Sequence, residues 1–189
     1  ASVEELAQIF RVTPTTIRRD LLILEERQLI YRSRGMAFVR GTSDNTPNIF
    51  DMEKKRIAAK AAQYVSNGTT LAMDSGTTVQ AVVNHLLNDE RINELDIITH
   101  SLSTAQLAAR EFNVSIPGGA IFNKMDTMIG LEVEEFYKNI NVDIAFLGST
   151  GVYNCAGLTL SYPVQLLVKK SSALCADKRI AVLDSSKFI

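Results

Sequence analysis

Along the first forty residues the apolar positions recur at helical spacing and then give way to short β-prone runs. Val3, Leu6, Ala7 and Phe10 share one helical face. Ser2 and Glu5 stand in the S-x-x-E arrangement of a capping box, so a helix is expected from Ser2 to Phe10. The chain breaks at Arg11-Val12. Thr13 is a good N-cap residue, and Pro14 takes the first helical position, where its missing N–H costs nothing. A second helix is expected to run to about Gln28, burying Ile17, Leu21 and Leu24. Leu29–Arg32 and Met36–Arg40 then flank the polar turn Ser33-Arg34-Gly35 as a hairpin. Helix, tight turn, helix and basic hairpin predict a winged helix-turn-helix.

Residues 41–52 are rich in turn formers and read as a linker. A helix is expected over 53–66, with Ile57, Ala61 and Val65 as its stripe and Asn67-Gly68 as its end. Strands over 69–73, 95–99, 114–116, 142–147 and 180–183 alternate with helices over 79–87, 104–111, 130–138 and 163–176. This rhythm predicts an α/β domain with a mostly parallel, helix-covered sheet. The expected organisation is a DNA-binding domain over 1–43, a linker and the start of the first helix over 44–56, and the α/β domain over 57–189.

Composition narrows the picture. The chain has 189 residues, 46% of them hydrophobic, so a real core can be buried. Its net charge of −1 argues against a chain that coats nucleic acid all over, but the charge is uneven. Residues 1–43 hold seven arginines, no lysine and five acids, whereas the remainder is net acidic. A basic head on an acidic body suits a DNA reader attached to something else. Cys155 and Cys175 lack metal-ligand spacing, so neither a metal, a cofactor nor a disulfide framework is expected. The chain reads as cytosolic, with no membrane span and no signal peptide.

Two sets of residues carry candidate chemistry. A recognition helix enters the major groove by its N-terminal end. Here that end holds Thr13, Thr15, Thr16, Arg18 and Arg19, hydroxyls and guanidinium groups suited to phosphates and base edges. Arg32 and Arg34, on and beside the hairpin turn, could touch phosphates or the minor groove. Taken alone, a Thr-Pro-x-Thr helix start is more often an ordinary capped helix; the basic hairpin behind it shifts the balance to DNA.

In the larger domain Asp74-Ser75-Gly76-Thr77-Thr78 directly follows a strand and precedes a helix. Such a turn exposes backbone N–H groups at a helix N-terminus, a phosphate cradle without a lysine and without P-loop spacing. Other small polar turns follow other expected strands: His100-Ser101, Gly118-Gly119, the Gly148-Ser149-Thr150-Gly151 run, and Asp184 to Lys187. In a parallel sheet these ends share one edge, where ligands bind. Each turn alone has a bland reading, a capped helix start, a satisfied histidine or a solvated lysine. Their convergence on one edge favours an effector site.

The run Phe10-Arg11-Val12-Thr13-Pro14-Thr15-Thr16-Ile17-Arg18-Arg19-Asp20-Leu21, followed by Arg32-Ser33-Arg34-Gly35, resembles the DeoR/GlpR family of bacterial regulators. So does the order of D-S-G-T-T at 74–78, T-H-S at 99–101, G-G at 118–119, L-G-S-T-G at 147–151, G-L-T at 157–159 and D-S-S-K-F at 184–188. The resemblance covers nearly the whole chain. It implies a ribose-5-phosphate isomerase-like sensor fold and a sugar phosphate or similar phosphorylated effector. It also implies a further helix before Ala1 and a strand and helix after Ile189. Three positions depart from the family pattern: Met36 where a second glycine is common, His100 where asparagine is usual, and Ser161–Gln165, which lacks acidic residues.

Three functions follow from these features. One is a regulator, expected to be a repressor of a carbohydrate operon and a homo-oligomer, that binds operator DNA and is tuned by a phosphorylated metabolite. Another is a sugar-phosphate isomerase with a DNA-binding head, for which Asp74 and Asp184 are the only obvious acids at the expected edge. The last is a DNA-binding head on a purely structural dimerisation domain. The first is expected, and the chain is not expected to be an enzyme.

Overall fold

In the computed structural model the described residues are 2–26, 30–33, 36–39, 51–153 and 157–188. The chain divides into two compact units, Ala1–Asn48 and Ile49–Ile189.

In the first unit α1 spans Val3–Phe10, and α2 spans Pro14–Glu26. Ser2 and Glu5 form the expected capping box: the Ser2 hydroxyl accepts from the Glu5 N–H at 3.1 Å, and the Ser2 N–H donates to Glu5 at 2.8 Å. Arg11 closes α1 in the left-handed conformation, φ 54°, which turns the chain sharply into Thr13. Thr13 caps α2, its hydroxyl accepting from the Thr16 N–H at 3.2 Å. Strands β1 (Ile30–Ser33) and β2 (Met36–Val39) pair antiparallel as the wing. Ala7, Ile17, Leu21 and Ile30 form the small core, joining both helices to the hairpin. The expected end of α2 at Gln28, residue Arg34 and most of the linker lie outside the described residues.

The second unit begins with α3 (Asp51–Ala62) and is built on β3 (Thr69–Met73), β4 (Leu95–Thr99), β5 (Asn113–Ser115), β8 (Val142–Leu147) and β11 (Ala176–Ala181). These five strands form one sheet in the order β11-β8-β3-β4-β5, every neighbouring pair parallel. Helices α4 (Thr77–Leu87), α5 (Leu102–Ala108), α6 (Leu131–Lys138) and α7 (Leu166–Leu174) connect them.

Strand alternation divides the interior in two. Leu71, Met73, Ile144 and Phe146 face a core completed by Ala58 and Ala61 of α3 and by Val79, Val82, Val83 and Leu86 of α4. Ala72, Ala145 and Leu147 face the other way, onto Val133 and Tyr137 of α6 and Val168 of α7. Both faces of the sheet are thus covered, as a parallel sheet requires. From β3 the chain builds outward through β4 and β5, then returns to place β8 and β11 on the other side. The order therefore reverses between β3 and β8, and a crevice opens there at the strand C-terminal ends.

Several elements differ from the sequence expectation. The last strand is Ala176–Ala181 rather than 180–183; Lys178 and Arg179 hid its start, being exposed on an edge strand. Helix α5 runs Leu102–Ala108 rather than 104–111, starting where Ser101 caps it. Residues Pro163–Gln165 form a 3-10 turn ahead of α7. Two small antiparallel hairpins were not expected: β6 (Ala120–Phe122) with β7 (Thr127–Ile129), and β9 (Gly151–Tyr153) with β10 (Gly157–Thr159). Three-residue strands are too short to show a period.

Candidate functional site

The N-terminal half of α2 carries the first candidate set. Thr13 and Thr16 are joined hydroxyl to hydroxyl at 2.9 Å, so both take part in the helix cap while remaining exposed. Thr15, Arg18 and Arg19 are exposed, and none of the three lies in the core formed by Ile17 and Leu21. Arg18 comes no nearer than 3.9 Å to Glu4, and both side chains are solvated, so this pairing holds the guanidinium only weakly. Arg32 lies on β1 opposite Ala37; its side chain is not described, and Arg34 lies outside the described residues.

The second set gathers at the crevice between β3 and β8. A cavity of about 170 Å³ is lined there by Ser75, Gly76, Thr77, Thr78, Gly148, Ser149 and Lys187, all expected site residues. Gly76 adopts φ 113°, a backbone conformation L side chains rarely take, as the chain swings from β3 into α4. Among the described residues no protein group accepts the N–H of Gly76, Thr77, Thr78 or Val79; the first bond of the helix is Gln80 N–H to Gly76 carbonyl at 3.0 Å. Four N–H groups at a helix start thus border the cavity, with the partial positive charge of the helix behind them. The β3 and β8 turns are in close contact: a Cβ on Gly148 would lie 3.0 Å from the Ser75 carbonyl oxygen.

Beneath the turn lies a group of buried polar side chains. Asp74 is 1% exposed and accepts four contacts. The Ser75 N–H donates to Oδ1 at 2.8 Å, and the Gly148 N–H donates to Oδ2 at 2.9 Å. Lys169 Nζ donates to Oδ2 at 2.6 Å, and His100 Nε2 faces Oδ1 at 3.4 Å. Lys169 also donates to the Gly148 carbonyl at 2.7 Å. Behind His100, its Nδ1 meets the Tyr137 hydroxyl at 3.1 Å. Burial alone would raise the Asp74 pKa. The hydrogen bond from His100 and the positive charge of Lys169 outweigh it and hold the carboxyl at about 2. Tyr137 is pushed well above its ordinary value by burial and then by the charge of Asp74, so its hydroxyl keeps its proton.

The remaining expected residues fall into supporting positions. Asp74 and His100 form the underside of the site rather than its wall. Ser101 is buried and caps α5, accepting from the Thr104 N–H at 3.3 Å. The Ser149 hydroxyl ties β9 to β10: it lies 2.7 Å from both the Gly151 and the Thr159 carbonyl, able to donate its one proton to either, and accepts from the Thr159 N–H at 3.1 Å. Gly151 is the buried start of β9. Gly118 and Gly119 precede β6 away from the cavity lining; Gly119, at φ 137°, lets the Ile129 carbonyl and Val133 approach.

Sequence reasoning missed Lys169, Gln165, Met125 and Leu160, which also line the cavity. Lys169 sits mid-helix rather than after a strand, so no turn signature marked it. Gln165 is buried, its amide donating to the Thr127 hydroxyl at 3.3 Å. A larger open groove of about 520 Å³ between α3 and the end of β11 has only Asp184 and Ser185 of the Asp184–Lys187 turn in its lining, and shares only Val182 with the cavity. Among the described residues no cluster of three or more His, Cys, Asp or Glu side chains could hold a metal ion, and no helix is long and apolar enough to cross a membrane.

Comparison with known proteins agrees with both units. Residues 1–41 match the DeoR-like helix-turn-helix domain, and residues 50–189 match the DeoR C-terminal sensor domain. The chain therefore belongs to the DeoR family and is a DNA-binding transcription regulator. It is 34% identical to the glycerol-3-phosphate regulon repressor of Escherichia coli, across 99% of this chain and 76% of that protein. The protein of the same description from Haemophilus influenzae is 33% identical, over 99% of this chain and 74% of that one. The HTH-type transcriptional repressor CsqR of Escherichia coli is 32% identical, over 99% and 73%. In fold the α/β unit is similar to ribose 5-phosphate isomerase from Plasmodium falciparum, with a TM-score of 0.53 at 22% identity. That match covers 74% of this chain and 53% of the isomerase. The isomerase from Methanocaldococcus jannaschii gives 0.52 at 18% identity, covering 74% and 55%.

Proposed function

We propose that the protein represses a carbohydrate-metabolism operon and that a phosphorylated sugar or related metabolite, bound between β3 and β8, controls its grip on operator DNA. The observation that carries the effector reading is the set of N–H groups from Gly76 to Val79, without a protein acceptor among the described residues and bordering a cavity that also holds Lys169 and Lys187. Backbone donors at a helix start and two ammonium groups suit a phosphate. The relatives' descriptions as repressors, and the glycerol-3-phosphate regulon of the first, support the direction of control and the class of metabolite. Thr15, Arg18 and Arg19 are the proposed DNA readers, a reading supported by their exposure on α2, with Thr13 and Thr16 shaping the helix end. Repressors that read paired half-sites work as symmetric oligomers, so operator DNA and a second copy of the chain are the partners proposed.

Catalysis is not part of this reading. An isomerase needs a carboxylate base facing its substrate. Asp74, beneath the cavity, is buried, bonded on both oxygens and held at about 2, too weak a base for proton abstraction near neutral pH. Calorimetry of the intact protein against triose, pentose and hexose phosphates and their unphosphorylated counterparts tests the proposal. Binding confined to phosphorylated compounds is expected. Equal binding of the unphosphorylated partners, or turnover in a coupled isomerisation assay, would overturn it.

A further inference from the structure

We propose that Lys169 is the cation that selects phosphate in this cavity, and that His100 and Tyr137 act behind it as positioning residues through Asp74. The inference rests on the phosphate reading of the cavity and adds to it the residue that confers the selectivity.

An ammonium group has three N–H donors. Lys169 directs one to Asp74 Oδ2 at 2.6 Å and one to the Gly148 carbonyl at 2.7 Å. The third has no acceptor among the described residues, and Lys169 lines the same cavity as Gly76, Thr77 and Thr78. Two fixed bonds thus orient the remaining donor. The Lys169 side chain is only 14% exposed, which limits the screening of its charge by water. Lys187 lines the cavity too, half-buried, and reaches in from a short 3-10 turn at Ser185–Lys187 rather than from the middle of a helix.

The cost of this arrangement points to a directed role. Taking a carboxylate and an ammonium out of water is expensive, and apolar residues would fill the same space at least as stably. Asp74 cannot itself meet a ligand, being 1% exposed with every contact a donor. What it does is hold Lys169. His100 Nε2 faces the opposite oxygen at 3.4 Å, and the Tyr137 hydroxyl at 3.1 Å from Nδ1 fixes the ring. In the tautomer in which the Tyr137 hydroxyl donates to Nδ1, the histidine proton sits on Nε2 and points at Asp74, which fixes the carboxylate plane and hence the ammonium. His100 thus acts on the ligand through two intervening residues, Asp74 and Lys169. A chain of four side chains connects α6, the β4 turn, the β3 turn and α7.

The experiment uses the intact protein with inorganic phosphate and sn-glycerol 3-phosphate as probes. Calorimetry gives affinity, and the side-chain ammonium resonances of ¹⁵N-lysine-labelled protein report directly on Lys169, assigned through Lys169→Arg. Lys169→Met is expected to weaken both probes by about tenfold or more, as expected when one charge-assisted hydrogen bond is removed. In the unmutated protein the Lys169 ammonium signal is expected to be sharp and to shift on adding phosphate. His100→Leu is expected to broaden that signal with the fold retained, and His100→Asn, which keeps an N–H donor, to preserve it. Should Lys169→Met fail to fold, the shift in the unmutated protein decides the matter alone. If the protein binds the probes while Lys169→Met stays within twofold, or while the signal does not move, the lysine assignment is overturned and the phosphate reading stands. An identical signal in His100→Leu removes the positioning role. If the unmutated protein binds neither probe at millimolar concentration, both this inference and the reading beneath it fall.

Discussion

Lys169 Nζ lies 2.6 Å from Asp74 Oδ2, and this contact joins the middle of α7 to the turn between β3 and α4. Residues 95 positions apart in the chain are thereby fixed at the crevice where the strand order reverses. The Gly148 N–H and carbonyl complete the junction from β8, each bonded to one member of the pair. The cavity wall is therefore held by ionic contacts as well as by packing, and the consequences can be measured.

Asp74→Asn preserves size but not function as an acceptor. The Ser75 and Gly148 N–H groups and the Lys169 ammonium all donate to the carboxylate, so an amide nitrogen must face one of them at close range. A decrease of about 3–5 kcal/mol in unfolding free energy is expected, the range for breaking a buried charged pair. Urea denaturation checks this, and an unchanged midpoint would contradict the acceptor role.

The same carboxylate sets an acid limit on stability. Its pKa is held at about 2 against an ordinary 3.8, so the folded state binds its proton less readily than the unfolded state. The stabilisation is complete above the unfolded value and fades as pH falls from about 4 toward about 2, a contribution of roughly 2 kcal/mol. Unfolding measured across this window should show a shallower fall in Lys169→Met, which lacks the cation facing the carboxylate. Parallel slopes in the two proteins would contradict the coupling.

Gly148→Ala tests the close approach of the two turns. The added Cβ would sit 3.0 Å from the Ser75 carbonyl oxygen and 3.7 Å from Val79. The oxygen belongs to buried backbone and cannot swing aside, so a decrease in stability of about 1–3 kcal/mol is expected, together with weaker phosphate binding as Gly76 to Val79 shift. Gly119→Ala should instead cost stability alone, because its Cβ would meet the Ile129 carbonyl at 2.8 Å on a φ of 137°, away from the cavity lining. Thermal unfolding and phosphate titration of the two variants separate these outcomes.

Much of this arrangement was legible in the sequence. The capping box at Ser2 and Glu5, the Thr13 cap and the D-S-G-T-T turn are local patterns whose chemistry lies within a few residues, and each forms as its sequence implies. The parallel sheet followed from the alternation of strands and helices. What local pattern could not supply was the far partner. Lys169 looks like any solvated helical lysine until the fold brings Asp74 to it, and Gln165 looks like an ordinary first-turn helical residue until Thr127 meets it. Gly119 carried the right composition for a binding turn, yet it lies away from the cavity lining and admits a tight packing contact. The start of edge strand β11 was hidden because its exposed charged residues resemble a loop.

The reader helix carries its own expectation. Arg18 and Arg19 are exposed on α2, and the double variant Arg18→Ala/Arg19→Ala should bind a mixed-sequence duplex more weakly. The slope of log affinity against log salt should fall by about 0.9 for each phosphate that is no longer neutralised. Fluorescence anisotropy over a salt series provides the slope; an unaltered slope and affinity would place DNA binding elsewhere on the protein.

A phosphorylated ligand in the β3–β8 cavity that controls DNA binding must change the protein's affinity for its operator. The most direct measurement is the affinity of the intact protein for a duplex enriched by selection against it, with and without a panel of three- to six-carbon sugar and polyol phosphates. At least one phosphorylated compound should change that affinity by about fivefold or more, while its unphosphorylated counterpart leaves it unchanged. An affinity that no phosphorylated compound alters, or that the unphosphorylated compounds alter equally, would contradict the account.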